Sequence, residues 1–248
     1  MPSDFEAGYS QSGKPRRLAE GLYVLSQKKG GRVHAFLLDD GEGLTLIDSL
    51  FDNDAAGVLS AIREIGRKPS DLKHLIATHA HRSHIGGLAA LQKLSGAKVW
   101  AHEWEADIIA GEREAQRVSP WPKAPLRVYY IQLGLALGVD GHLPCDVDGF
   151  LREGDRIGPI EVIHMPGHSP GHMGFYWKER NAVFAGDALA TWPYLSLGWD
   201  GLTTNIKQHR QSLHKMDDLR ADIICVGHGE PAEGDNVDKL RRMVRSGG

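Results

Sequence analysis

"ATHAHRSHIGGL", residues 77–88, is the stretch from which the rest of the chain can be read. Three histidines, His79, His81 and His84, fall within six positions. The run before them, "HLIAT", is apolar without polar alternation, which predicts a short strand buried on both faces. The histidines therefore leave a strand at its C-terminal end. Alternate residues of extended backbone share a side, so His79 and His81 can aim at one point. His84 reaches the same region as the chain turns into the helix predicted for "IGGLAALQKLSG". Three neutral imidazoles at this spacing suit Zn(II) or another borderline metal. Ser83 is the odd member, since a neutral hydroxyl is a poor zinc ligand where a carboxylate would bring charge.

Completing ligands are sought in loops that follow other strands. "MPGHSPGH" presents His168 between turn signals, "FAGDAL" presents Asp187 after an apolar strand, and "VGHGEP" presents His228 after another. Any one of these alone reads as a packed histidine or a surface carboxylate. Four separate segments, each ending a strand in a glycine-framed His or Asp, read as a metal site held by a rigid sheet.

The surroundings fit a soluble enzyme. The chain has 248 residues, 41% of them hydrophobic and 25% charged, with a formal net charge of -3. The charge balance and the lack of a basic, aromatic-interleaved cluster exclude a nucleic-acid partner. No apolar run has membrane-spanning or signal-peptide length, and a cytoplasmic location is expected. Cys145 and Cys225 are far apart and read as buried thiols, not a disulfide. The 13 histidines are about twice ordinary usage for this length.

Residues 1–17 read as a flexible or loosely docked arm. "LYVLS", "VHAFLLDD" and "LTLIDSL" are predicted strands, "DNDAAGVLSAIREIG" an amphipathic helix, "AKVWA" a strand and "HEWEADIIAG" a short helix. Residues 111–147, with four prolines, break the rhythm and read as a lid or insertion. Short strands "FLREGDRI", "IEVIHM", "GHMGFYW" and "AVFAGDAL" follow, then a helix, the strand "ADIICVGHG" and a last helix. Two halves of similar order predict an α+β fold: a four-layer αββα sandwich of two mixed sheets with helices outside.

Taken together, the motifs resemble the metallo-β-lactamase superfamily, whose H-x-H-x-D-H appears here as His79-Ala80-His81-Arg82-Ser83-His84. The resemblance covers roughly residues 18–235 and implies one domain over 18–248. It also implies two metal sites. The first takes His79, His81 and His168. The second takes His84, Asp187 and His228, with Ser83 where the family has its aspartate. Asp187 would bridge both and hold a metal-bound hydroxide as nucleophile. Asp48, ending "LTLID", would lie beneath the site. Two zinc ions are implied, the second held more weakly; a single metal ion, or a different metal such as iron or manganese, is the alternative.

The implied activity is hydrolysis of a carbonyl ester-type bond in a small molecule carrying an apolar group. Lactone or other ester ranks first, thioester second and β-lactam third. The alternative is a non-hydrolytic iron-binding or degenerate binding member of the same fold. Among the remaining candidates, Arg82 is expected to be a solvated loop charge. His34, His164 and His172 are expected to pack structurally, with a role as partner to a ligating ring as the alternative, and His102 to cap a helix or lie on the surface. Trp192, Tyr194 and Trp199 are candidates for an apolar cleft wall. Trp121, Tyr129 and Tyr130 are candidates for the opposite wall or a homodimer contact.

Overall fold

A computed structural model describes residues 14–138 and 141–247. The expected N-terminal arm lies, for residues 1–13, outside the described residues. Its end does not: Arg16–Ala19 already forms β1, two residues earlier than the expected start of the domain.

The first half runs β2 (Leu22–Gln27), α1 (Lys29–Arg32), β3 (Val33–Asp39), β4 (Leu44–Ile47), α2 (Ala56–Glu64), β5 (Leu72–Ile76), α3 (Arg82–Ile85), α4 (Leu88–Ser95), β6 (Lys98–Ala101) and α5 (Glu103–Ile109). After α6 (Tyr129–Ala136) come β7 (Gly149–Phe150), β8 (Arg156–Ile157), β9 (Ile160–His164), β10 (Met173–Trp177) and β11 (Ala182–Ala190). The chain closes with α7 (Ile206–Asp218), β12 (Ile223–His228), β13 (Ala232–Glu233) and α8 (Asp235–Ser246). The α+β class expected from the sequence is observed, and the sheet is mixed and curled, with helices outside.

The layering follows from alternation along strands buried on both faces. On β3, Ala35 and Leu37 turn outward to the buried faces of α2, α4 and α5, while Phe36 and Leu38 turn inward. On β11, Ala182 and Phe184 turn inward, while Val183 and Ala185 meet α7 and α8. Successive side chains of a strand point to opposite faces, so each strand feeds two cores. Phe36 and Phe184 meet edge to face across the central core, ring centroids 5.3 Å apart.

The two packed mixed sheets expected from the sequence touch edge to edge at one point. Val33 of β3 pairs with His228 of β12, so the two halves join into one 13-stranded sheet. The joint lies at the C-terminal, His228 end of β12. Around it the Gly229 N–H donates to the Arg32 carbonyl at 3.1 Å.

β4 and β5, and β11 and β12, run parallel in pairs. Their C-terminal ends converge at the same edge, where the polar residues of the motifs lie. Residues 111–147, read from the sequence as an insertion, contribute α6, and their other described residues are irregular chain. Both cysteines are buried and free.

Candidate metal centre

The histidine segment leaves β5 and turns into α3, with His81 preceding the helix. His79, His81, His168 and Asp187 bring ligand atoms within 4.8 Å of one another, as do His84, Asp187 and His228. All six residues are buried. Asp187 belongs to both groups, so the six candidates from four segments meet at one place.

The separations suit a metal. His79 Nε2 lies 3.0 Å from His81 Nδ1, and His168 Nε2 lies 3.2 Å from the same atom. His84 Nε2 and His228 Nε2 are 3.3 Å apart, and each is 3.3 Å from an Asp187 oxygen. Two ligands on a tetrahedral zinc, each about 2.0–2.1 Å from it, lie about 3.3–3.4 Å apart. The donor set of five imidazoles and one carboxylate is therefore both chemically and geometrically fit for divalent ions.

The outer nitrogens of His79, His84 and His228 are fixed by the scaffold, whereas His168 Nδ1 is buried without a partner. His84 Nδ1 lies 2.7 Å from Asp48 Oδ2, and His228 Nδ1 lies 2.8 Å from the Gly31 carbonyl. His79 Nδ1 lies 3.0 Å from Thr78 Oγ1, which itself donates to Asp48. Such partners set the tautomer and orientation of a ligating ring. Asp48 adopts φ +59°, a left-handed conformation that aspartate tolerates better than most residues. Its Oδ1 also accepts from the Thr78 N–H at 2.8 Å.

Asp187 does not follow a strand, as its sequence context predicts, but sits inside β11. The pairing of β11 with β12 slips at Gly186, and this bulge re-aims the carboxylate. Gly186 has φ +50°, and a Cβ there would lie 2.7 Å from His172 Nε2. That nitrogen accepts the Asp187 N–H at 3.1 Å. His172 is thus not merely packed: it holds the backbone of the shared carboxylate. Gly227 permits an equally close approach, since its Cβ would lie 2.3 Å from Asp187 Oδ1.

Electrostatics favour a cation. Burial holds His79 and His168 well below the usual imidazole range and His81 at about 4, so these rings are neutral and offer lone pairs. Burial also opposes charge on His84, but Asp187 and Asp48 on either side raise it to about 10. Burial raises Asp187, yet the facing His228 and His84 hold it well below the ordinary carboxylate range. A proton shared with two buried carboxylates occupies the electrostatic place of a metal ion, which would displace it on binding.

Glu105 has no counterpart among the sequence-derived candidates. It is 2% exposed and lies on the buried face of α5 beside Ala106, Ile108 and Ile109. One oxygen accepts from the Ala80 N–H at 3.1 Å, between His79 and His81. The other accepts from Ser169 Oγ at 2.6 Å and the Gly171 N–H at 3.0 Å, just after His168. The available signal was a carboxylate at a core-facing position of an amphipathic helix.

A cavity of about 330 Å³ opens on the cluster. His81, Ser83, Asp187 and His228 line it, with Phe51, Ile131, Leu135, Trp199 and Leu202 as apolar wall. Ser83 is buried in the first turn of α3. Of the expected aromatic wall, Trp199 is present, its ring tilted against His228 with centroids 4.6 Å apart, and Trp192 packs edge-on to it. Tyr194 is exposed and lies off the cavity. From the insertion, Tyr130 lines the cavity, whereas the Tyr129 hydroxyl donates to the Pro120 carbonyl and Trp121 is exposed.

Arg82 is corrected: it is half-buried on the cavity wall, its guanidinium 4.6 Å from the Phe51 ring centre. A short helix directs it sideways, where an extended loop would have pointed it to water. His34 packs edge-on to Phe36 in β3, His102 caps α5, and His164 stacks on His102.

This fold and this cluster define a metallo-hydrolase. Residues 29–228 match the model of the metallo-beta-lactamase superfamily, and the chain belongs to that superfamily. The protein YobT of Bacillus subtilis (strain 168), itself uncharacterized, is 26% identical over 212 residues, covering 80% of this chain and 83% of its own. A hydroxyacylglutathione hydrolase from Jannaschia sp. (strain CCS1) is 29% identical over 228 residues, covering 86% of this chain and 72% of its own. A metallo-beta-lactamase family protein from Thermus thermophilus superposes with a TM-score of 0.67 at 25% identity, covering 93% of this chain and 80% of its own. Among the described residues, no helix is long and apolar enough to cross a membrane.

Proposed function

We propose that the protein hydrolyses a carboxylic ester-type bond, lactone or thioester, in a small molecule with an apolar portion. The observation that carries this is the shared carboxylate of Asp187 between two ligand sets at the floor of an apolar cavity. The first set is His79, His81, Asp187 and His168; the second is His84, Asp187 and His228, with Ser83 beside it. When bound, divalent metals supply a water that ionises near pH 7 and an electrophile for the carbonyl oxygen. The chain does the rest. Asp48, Thr78 and the Gly31 carbonyl hold the rings in register, and His172 holds the Asp187 backbone. Trp199, Leu135 and Leu202 exclude water from the cavity and seat the apolar part of the substrate.

The second ligand set lacks the negative charge that a carboxylate at position 83 would add. Three protein ligands with an open position remain a working arrangement for catalysis. Zinc suits the imidazole-rich set best, with iron or manganese as alternatives. The similarity to a hydroxyacylglutathione hydrolase supports the thioester reading alongside the lactone.

The test is turnover of matched lactone, thioester and β-lactam panels by protein loaded with zinc, iron or manganese, with Asp187→Ala as control. Turnover of an ester or thioester that removal of the metal by a chelator and the Asp187→Ala substitution both abolish is expected. Failure on every ester and thioester with every metal would overturn the proposal.

A further inference from the structure

Arg82 is an unusual cation for the wall of an apolar cavity. Its guanidinium lies over Phe51, and its nearest polar contact is a long 3.4 Å hydrogen bond from Nη2 to Asn53 Oδ1. Its Nε is buried and has no partner. Among the described residues, no carboxylate lies within ion-pair distance of it. The second cation on the wall is different. Lys29 also lies over Phe51, at 4.8 Å, but is paired with Asp52 at 2.7 Å. Asp52 in turn accepts from Gln27. One cation is thus already neutralised, and the other is held rigid by an aromatic face with donor capacity unspent.

A guanidinium presents a planar set of donors that matches a carboxylate; with Nε closed off, the Nη side of Arg82 is the part that can donate into the cavity. A half-buried, unpaired cation costs free energy unless a ligand completes it. We infer that Arg82 is a specificity-determining residue, and that the substrate carries a carboxylate at the end of the cavity opposite its apolar group. This rests on the hydrolase reading above and narrows it to acidic esters or thioesters. It differs from simple attraction to the metals, because the group is read at a fixed place beside Phe51.

The test uses a nitrophenyl ester whose acyl chain ends in a carboxylate, with the terminal carboxamide as its neutral match and a phosphonate as a second anion. Metal-loaded wild type should prefer the carboxylate over the carboxamide by about 10- to 100-fold in kcat/KM, the range of a charge-assisted hydrogen bond. Arg82→Gln should bring that ratio close to one, chiefly through KM, and Arg82→Lys should restore part of it. A wild-type ratio near one, a ratio unchanged in Arg82→Gln, or a preference for the phosphonate would each overturn the assignment. Absence of turnover on every substrate would instead sink the hydrolase reading. Calorimetric binding of the free dicarboxylate against its monoamide, in wild type and Arg82→Gln, then decides the Arg82 inference separately. An equal affinity of wild type for the two overturns it.

Discussion

Asp48 Oδ2 lies 2.7 Å from His84 Nδ1, on the side of the ring away from the histidine cluster, while Asp48 Oδ1 accepts from the Thr78 N–H at 2.8 Å. One carboxylate thereby ties two neighbouring strand ends, and orients a ring whose Nε2 faces His228 and Asp187.

Asp48→Asn keeps the size of the side chain but can present an amide N–H to His84, which disturbs its tautomer. Loss of such an outer partner weakens metal affinity by about 10- to 100-fold. Metal titration with a competing chelator should show this in the second ligand set. An unchanged affinity would refute the role given to Asp48.

Ser83→Asp restores a charged donor beside His84. The variant is expected to hold its second metal ion more tightly than wild type, with the first unaffected. Elemental analysis after dialysis against graded zinc reads this directly. Identical occupancy in both proteins would show that Ser83 does not limit the site.

Glu105→Gln replaces an acceptor of three donors by a group that must point two N–H bonds at one side of them. Leaving one buried donor unpaired costs about 1–3 kcal/mol, so urea unfolding should lose stability of that order. Because the donors flank His79, His81 and His168, first-site metal affinity should fall as well, and Glu105→Asp should not recover it. Lost stability with full metal affinity would reduce Glu105 to a packing role.

Gly227→Ala places a methyl where Asp187 Oδ1 would stand 2.3 Å away and His84 Cε1 2.8 Å away. The carboxylate must move, and both ligand sets share it. Metal content is expected to fall at both sites, while far-ultraviolet circular dichroism stays native. Full metal content would show that the cluster tolerates a displaced Asp187.

Burial holds His34 and His172 at about 3 and His209 at about 4. In the unfolded chain the same rings titrate near 6.5. Between those values the unfolded state binds more protons, so stability falls as pH drops below about 6.5. Thermal melts of metal-free protein should show a lower Tm at pH 5 than at pH 7.5. His84, raised to about 10, acts oppositely: its contribution is complete below about 6.5 and is lost as pH rises through about 10. A metal-free protein equally stable at pH 5 and 7.5 would contradict the neutral state of the buried rings.

The sequence by itself determined the strand-to-ligand grammar. Apolar runs such as "HLIAT" and "AVFAG" read as buried on both faces, and the glycine-framed His or Asp after each stands out as a candidate ligand. That made His79, His81, His84, His168, Asp187 and His228 legible, and with them the superfamily. The helices were legible from their period, and Asp48 through the resemblance of "LTLID" to the family's early strand.

Only the tertiary structure decided what depends on pairing between distant segments. That Asp187 is aimed by a bulge inside β11 follows from how β11 registers against β12, which no local pattern encodes. That the two halves form one sheet follows from a single pair, Val33 with His228. Glu105 reaches Ser169 and Gly171 across 64 and 66 positions of sequence and ties them to Ala80, a contact that exists only once the sheet has curled. Arg82 changed most. In the sequence it is a charge between two candidate ligands; in the fold it is a half-buried cation on an aromatic face, because a one-turn helix sets its direction and the chain after β4 brings Phe51 against it.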